Sequence, residues 1–65
     1  MRNTKLVQEC YDLVNDYFKG SRTKTFIWFK AVNPSLGGLS PLEMIHKGRV
    51  EKLHKFIGES LKDNL

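Results

Sequence analysis

Between Asn33 and Gly48 the chain reads N-P-S-L-G-G-L-S-P-L-E-M-I-H-K-G, and nearly every position in that run restricts the backbone. Pro34 drives Asn33 out of the right-handed helical region, so a helix arriving from the N-terminal side must stop there. Pro34-Ser35 suits the opening of a turn, and Gly37-Gly38 permits positive φ and a close backbone approach. Leu36 and Leu39 bracket the glycines and are expected to anchor the loop in the core. Ser40-Pro41-Leu42-Glu43 then starts a new helix. Ser40 is the N-cap, Pro41 sits at N1 where its missing N–H costs nothing, and Glu43 at N3 completes a capping box. Leu39 at N′ and Met44 at N4 fit a hydrophobic staple. Gly48 closes this short helix, which spans 41–47.

The segments on either side have to fold around that corner. Residues 4–19 read as an amphipathic helix. Leu6, Val7, Cys10, Tyr11, Leu13, Val14, Tyr17 and Phe18 fall in one arc of about 160°, and polar residues fill the other side. Asn3 or Thr4 can serve as its N-cap, and Gly20 is expected to end it in the left-handed region. The arc is wider than one neighbour needs, so this helix should touch two helices, or one helix and another subunit. Residues 23–32 favour strand by local propensity. A helix is nevertheless expected, capped by Ser21 or Thr23, because the chain offers no second strand to pair with. Phe26, Ile27, Trp28, Phe29, Ala31 and Val32 would then point nearly all round, which calls for a central position or a face kept for a partner. Residues 49–62 form the last helix. Val50, Leu53, Ile57 and Leu61 make a narrow apolar seam, His54 lies at its edge and Phe56 on a flank. Glu51–Lys55 and Lys55–Glu59 are at i,i+4 spacing on the exposed side, and 62–65 are expected to fray. The fold class is therefore all-α, a small bundle of three to four helices.

Sixty-five residues make one domain at most. Burial in so short a chain comes out near break-even against the entropy of ordering it, so small domains usually carry a staple. A single cysteine, Cys10, rules out an internal disulfide, and Cys and His nowhere cluster at zinc spacing. Self-association or a protein partner is the expected supplement. Cysteine usage and the absence of a signal peptide or membrane-length apolar run point to a cytoplasmic protein. The formal net charge is +4, with basic residues scattered among acidic ones. That balance permits nucleic-acid contact without demanding it.

Residue chemistry argues against an enzyme. His46 and His54 are eight apart with Gly48 between them, not the i,i+4 spacing of a helical metal pair. Cys10 lies on an apolar arc and reads as a buried structural thiol. Gly37-Gly38 precedes a helix start, but neither a dinucleotide nor a Walker pattern accompanies it and no strand leads in. No catalytic residue, metal or cofactor is expected. A helix-turn-helix requires a turn of about three to four residues, whereas the 33–40 loop separates the second and third helices here. The third helix carries only Glu43, His46 and Lys47 as polar side chains. A small basic nucleic-acid-binding or accessory protein is thus the alternative reading.

The segment W-F-K-A-V-N-P-S-L-G-G-L-S-P-L-E-M-I-H-K-G-R resembles the toxin-binding domain of the Xre/MbcA/ParS antitoxin family. In that family a tryptophan-bearing helix runs into N-P-x-L-G-G, then a small-polar-Pro-Leu-Glu helix start, then a final helix. The likeness covers about residues 26–61 and, more weakly, the first helix. It implies an all-helical domain that neutralises a cognate toxin, usually a RES-type NAD-consuming enzyme, by covering its active-site cleft, and that often contributes to dimerisation. Family antitoxins usually carry an N-terminal helix-turn-helix domain as well, for which this chain has no room, so the neutralising half without the repressor half is expected. Carried over by motif, the candidate contacts are Trp28, Asn33, Pro34, Leu36, Gly37, Gly38, Ser40 and Pro41. Arg49 and Lys52 join them as basic groups beside the loop, able to reach an acidic partner. Pro34, the glycines and Ser40 also have a sufficient folding role.

Overall fold

Four α-helices and one 3-10 turn make up the computed structural model, which describes residues 4–63. They are α1 (Thr4–Tyr17), α2 (Arg22–Lys30), the 3-10 turn (Pro34–Leu36), α3 (Pro41–His46) and α4 (Val50–Asp63). The all-α class expected from the sequence is the observed one. Asn3 as an N-cap lies outside the described residues, as do 64 and 65 of the segment expected to fray; 62 and 63 close α4.

Each helix packs on its neighbour in sequence, and α4 returns to make its most extensive contact with α1. The wide apolar arc of α1 is accounted for by this, since it meets both α4 and α2. At the α1–α4 seam Cys10, Val14, Leu53 and Ile57 are wholly buried. Phe29 from α2, Leu36 from the turn, Met44 from α3 and Val50 complete the core. The radius of gyration is 10.8 Å, close to the roughly 11 Å of a compact chain this long. Burial pushes the Cys10 thiol up from 9.0 to about 11, the neighbouring Glu9 carboxylate adds to the shift, and a backbone hydrogen bond opposes it.

The helix boundaries show which local signals prevail. The helix expected over 4–19 stops at Tyr17 in a Schellman turn, with Gly20 N–H donating to the Asn15 carbonyl at 2.8 Å and Lys19 N–H to that of Asp16 at 3.0 Å. The first left-handed residue there is Lys19, φ 56°, one position before the glycine expected to take that role. Gly48, φ 75°, does occupy the corresponding place after α3, where Arg49 N–H donates to the Met44 carbonyl at 2.8 Å. Ser21 rather than Thr23 caps α2, accepting from the Lys24 N–H at 3.3 Å. That helix ends at Lys30 rather than 32, with Ala31 already extended. The chain straightens early because Asn33 pairs with Leu39 in an isolated antiparallel bridge, its N–H donating to the Leu39 carbonyl at 3.0 Å. α4 is displaced by one residue from the expected 49–62, and α3 closes at His46 rather than 47.

Candidate protein-binding surface

The corner between α2 and α3 is held almost entirely by its own short-range hydrogen bonds. Asn33 is extended, as Pro34 requires, and its Oδ1 accepts from the Ser35 N–H at 2.9 Å. Gly37 and Gly38 have φ of 71° and 81°, in the left-handed region that side-chain-bearing residues avoid. The expected capping box is complete: Glu43 N–H donates to Ser40 Oγ at 3.1 Å, and Ser40 N–H donates to Glu43 Oε1 at 2.9 Å. Leu36 is buried and Leu39 packs on the core, so the loop is pinned on both sides of its glycines.

That arrangement sorts the motif-derived candidates by access. Ser40, Pro41 and Leu36 are buried and shape the corner from beneath. Asn33 is half-buried and occupied by its own turn. Pro34, Gly37, Gly38, Arg49 and Lys52 are exposed. Trp28 is half-buried, packed on the core and edge-on to Phe29 at 5.1 Å between ring centroids. Its indole is chiefly a packing element, and α2 presents other side chains to solvent. Phe26 is 57% exposed and Ile27 60%, with Val32 beyond them at 64%.

The reason lies in which face of α2 turns inward. Thr25 and Phe29, one helical turn apart, are the buried pair of α2. Thr25 is polar yet completely buried, because its hydroxyl donates to the Ser21 carbonyl at 2.7 Å and lies 3.2 Å from Asn15 Oδ1. Phe29 stacks on Tyr11 of α1 at 6.1 Å. With 25 and 29 inward, 26 and 27 have no neighbour to cover them. Phe26 and the exposed Leu42 of α3 border an apolar hollow of about 200 Å³ floored by Tyr11, Phe29 and Ile45. Lys30 Nζ lies 5.0 Å from the Phe26 ring centroid, a cation held at the rim.

A second concavity, about 430 Å³, runs between the 3-10 turn and α4. Arg49, Lys52, Lys55 and Glu59 border it over Leu36, Met44 and Phe56. The i,i+4 pairs expected on α4, Glu51–Lys55 and Lys55–Glu59, do not close to within 4 Å; among the described residues the contact of this kind is His54 Nε2 to Glu9 Oε1 at 3.2 Å, between α4 and α1, an ion pair only when the imidazole is protonated. His54, expected at the seam's edge, is indeed half-buried there, and His46 is exposed at the end of α3. No described helix is long and apolar enough to cross a membrane.

Leu42, Lys55 and Phe56 were not among the residues the sequence singled out as contacts, and Phe26 and Ile27 were named only among the apolar residues of a helix that could keep a face for a partner. For Phe26 and Ile27 the sequence carried no usable signal, because the side of α2 that turns inward is set by Thr25, whose burial depends on its hydroxyl donating to the Ser21 carbonyl. For Lys55 the usable signal was the three-residue step Arg49–Lys52–Lys55. No protein-family model matches the chain, and neither does any curated protein or solved structure.

Proposed function

We propose that this chain is an antitoxin-like protein-binding module that neutralises a partner enzyme of the RES type by covering its active site. One observation carries the reading: Phe26 and Leu42 stand exposed at an apolar hollow, and Ile27 is exposed next to Phe26 on α2, on a chain too small to waste large side chains. Exposed apolar groups clustered over a rigid scaffold are what a binding hot spot requires, because the scaffold leaves little to be ordered on association. The resemblance of residues 26–61 supplies the enzyme class, and the self-capped corner supplies the rigid backbone on which Pro34, Gly37 and Gly38 are displayed. The module needs no chemistry of its own; occlusion is the mechanism, in the cytoplasm where such enzymes act. The same apolar hollow is available to a second copy of the chain when no enzyme is bound.

The test is co-expression with a RES-type enzyme, sought first in the neighbouring reading frames. Relief of growth arrest, together with co-purification of the two chains, is the expected result. A RES-type neighbour that is neither neutralised nor retained by this chain would defeat the proposal. Mobility of a generic DNA duplex at varied salt tests the nucleic-acid alternative, since binding through phosphates weakens steeply as salt rises. Micromolar or tighter duplex binding at physiological salt would favour that alternative.

A further inference from the structure

The groove between the 3-10 turn and α4 combines an apolar floor with a basic border. Its floor is apolar, made by Leu36, Met44 and Phe56. Its basic border carries Arg49, which immediately precedes α4, and Lys52 and Lys55 on α4, whose backbone positions are about 4.5 Å apart along the axis. All three cations are exposed, and none has a carboxylate within 4 Å among the described residues. Glu59 also borders the groove, one turn beyond Lys55, yet forms no ion pair with it.

Resting on the protein-binding reading above, we propose that this groove receives an acidic segment of the partner protein in which carboxylates flank a bulky apolar side chain. The apolar side chain covers Leu36, Met44 and Phe56, and the carboxylates meet Arg49, Lys52 and Lys55. Charge complementarity selects this occupant. A second copy of the chain is a poor fit, because its exposed apolar face carries Lys30 over Phe26 and would bring a cation against three others. A DNA duplex offers phosphates to the border but no apolar side chain to the floor. A purely acidic segment would leave that floor wet.

The experiment measures fluorescence anisotropy on the purified full chain with a fluorescein-labelled synthetic peptide of alternating glutamate and phenylalanine. The comparison probes are an all-glutamate peptide of equal length, a lysine–phenylalanine peptide and a labelled DNA duplex. The glutamate–phenylalanine peptide is expected to bind about tenfold or more tightly than the all-glutamate one, the worth of covering one aromatic side chain. The variant R49E/K52E/K55E, verified as folded by circular dichroism, is expected to weaken that binding about tenfold through loss of exposed ion pairs. Equal affinity for the all-glutamate peptide, undiminished binding by the variant, or tighter binding of the duplex would each overturn the proposal. The lysine–phenylalanine peptide should not bind; if it does, charge is not the selector and the proposal fails. Growth rescue by the same variant separates this inference from the one beneath it. Full rescue by R49E/K52E/K55E sinks the groove assignment and leaves the neutralising module standing. Peptide binding by a wild-type chain that rescues nothing sinks the module and leaves the groove.

Discussion

The two halves of this bundle use similar apolar content to opposite ends. α1 and α4 are amphipathic, and where they meet Cys10, Val14, Leu53 and Ile57 lose all contact with solvent. α2 spreads its four apolar residues, Phe26 to Phe29, nearly all round its axis, yet Thr25 and Phe29 are its buried residues while Phe26 and Ile27 stay out. α3 follows α2 in this, burying Pro41 and Met44 and exposing Leu42. The difference teaches that hydrophobicity alone does not assign a residue to the core here; the neighbour available to its face does. α1 and α4 bury the apolar seam, whereas α2 and α3 leave large apolar side chains exposed, the surface that the proposed function uses for display.

The largest effect should come from breaking the α1–α4 seam. Leu53→Ala removes a wholly buried side chain and leaves a cavity, which costs about 2–5 kcal/mol. A domain of this size holds only roughly 3–10 kcal/mol in total, so urea unfolding should show most of the stability gone. A cost below 1 kcal/mol would mean that the seam is not the main source of stability. The same seam responds to alkali through Cys10. Below pH 9.0 the thiol is protonated in folded and unfolded chains alike, and its contribution is fully present. From there to about pH 11 the unfolded chain gives up the proton and the folded chain keeps it, so that stability is lost across that window. Cys10→Ala should abolish this slope in denaturation curves recorded from pH 8 to 11, and an unchanged slope would assign it to another group.

Smaller effects probe the corner that joins the two halves. Ser40→Ala strips the capping box of the oxygen that accepts from Glu43 N–H, at a cost of about 1 kcal/mol. Lys19→Gly should move stability the other way. Lys19 occupies the left-handed region at φ 56°, whereas the matching turn after α3 has Gly48 there. Relieving the strain should raise stability by roughly 0.5–1 kcal/mol, visible as a higher melting temperature. A loss instead of a gain would show that Lys19 earns its place through its side chain.

How much of this was legible in the sequence depended on whether local signals agreed. The corner was readable because Pro34, Gly37, Gly38, Ser40, Pro41 and Glu43 act through the backbone within a few residues, and the capping box formed as its spacing required. α1 and α4 were readable because each has one apolar face. α2 was only half readable: its residues gave helix by elimination, but no periodicity said which side would turn inward. The deciding residue, Thr25, is polar, and its burial depends on the Ser21 carbonyl accepting from its hydroxyl. The end of α2 was misplaced for a related reason, since the Asn33–Leu39 bridge joins residues on either side of the glycine turn. The α4 border of the groove was obscured by treating Lys55 as a partner for Glu51 and Glu59, pairs that do not close.

The smallest expected change in stability is also the sharpest test of the division between scaffold and display. Phe26→Ser with Ile27→Ser replaces two large apolar groups on α2 that are more than half exposed. Residues without buried contacts shift stability by about 0.5 kcal/mol or less when substituted, so the double variant should melt close to the wild type. If the proposed function holds, neutralisation of a partner enzyme should nevertheless fall, because truncating apolar anchors of an interface removes the groups that carry most binding energy. The two readouts together decide the matter. Unchanged melting with lost growth rescue places Phe26 and Ile27 in the displayed surface, whereas unchanged melting with full rescue removes α2 from it. A destabilisation comparable to that of Leu53→Ala would make them part of the scaffold. The contrast between the two halves of the bundle would then be one of degree, and exposure at residues 26 and 27 would be no guide to function.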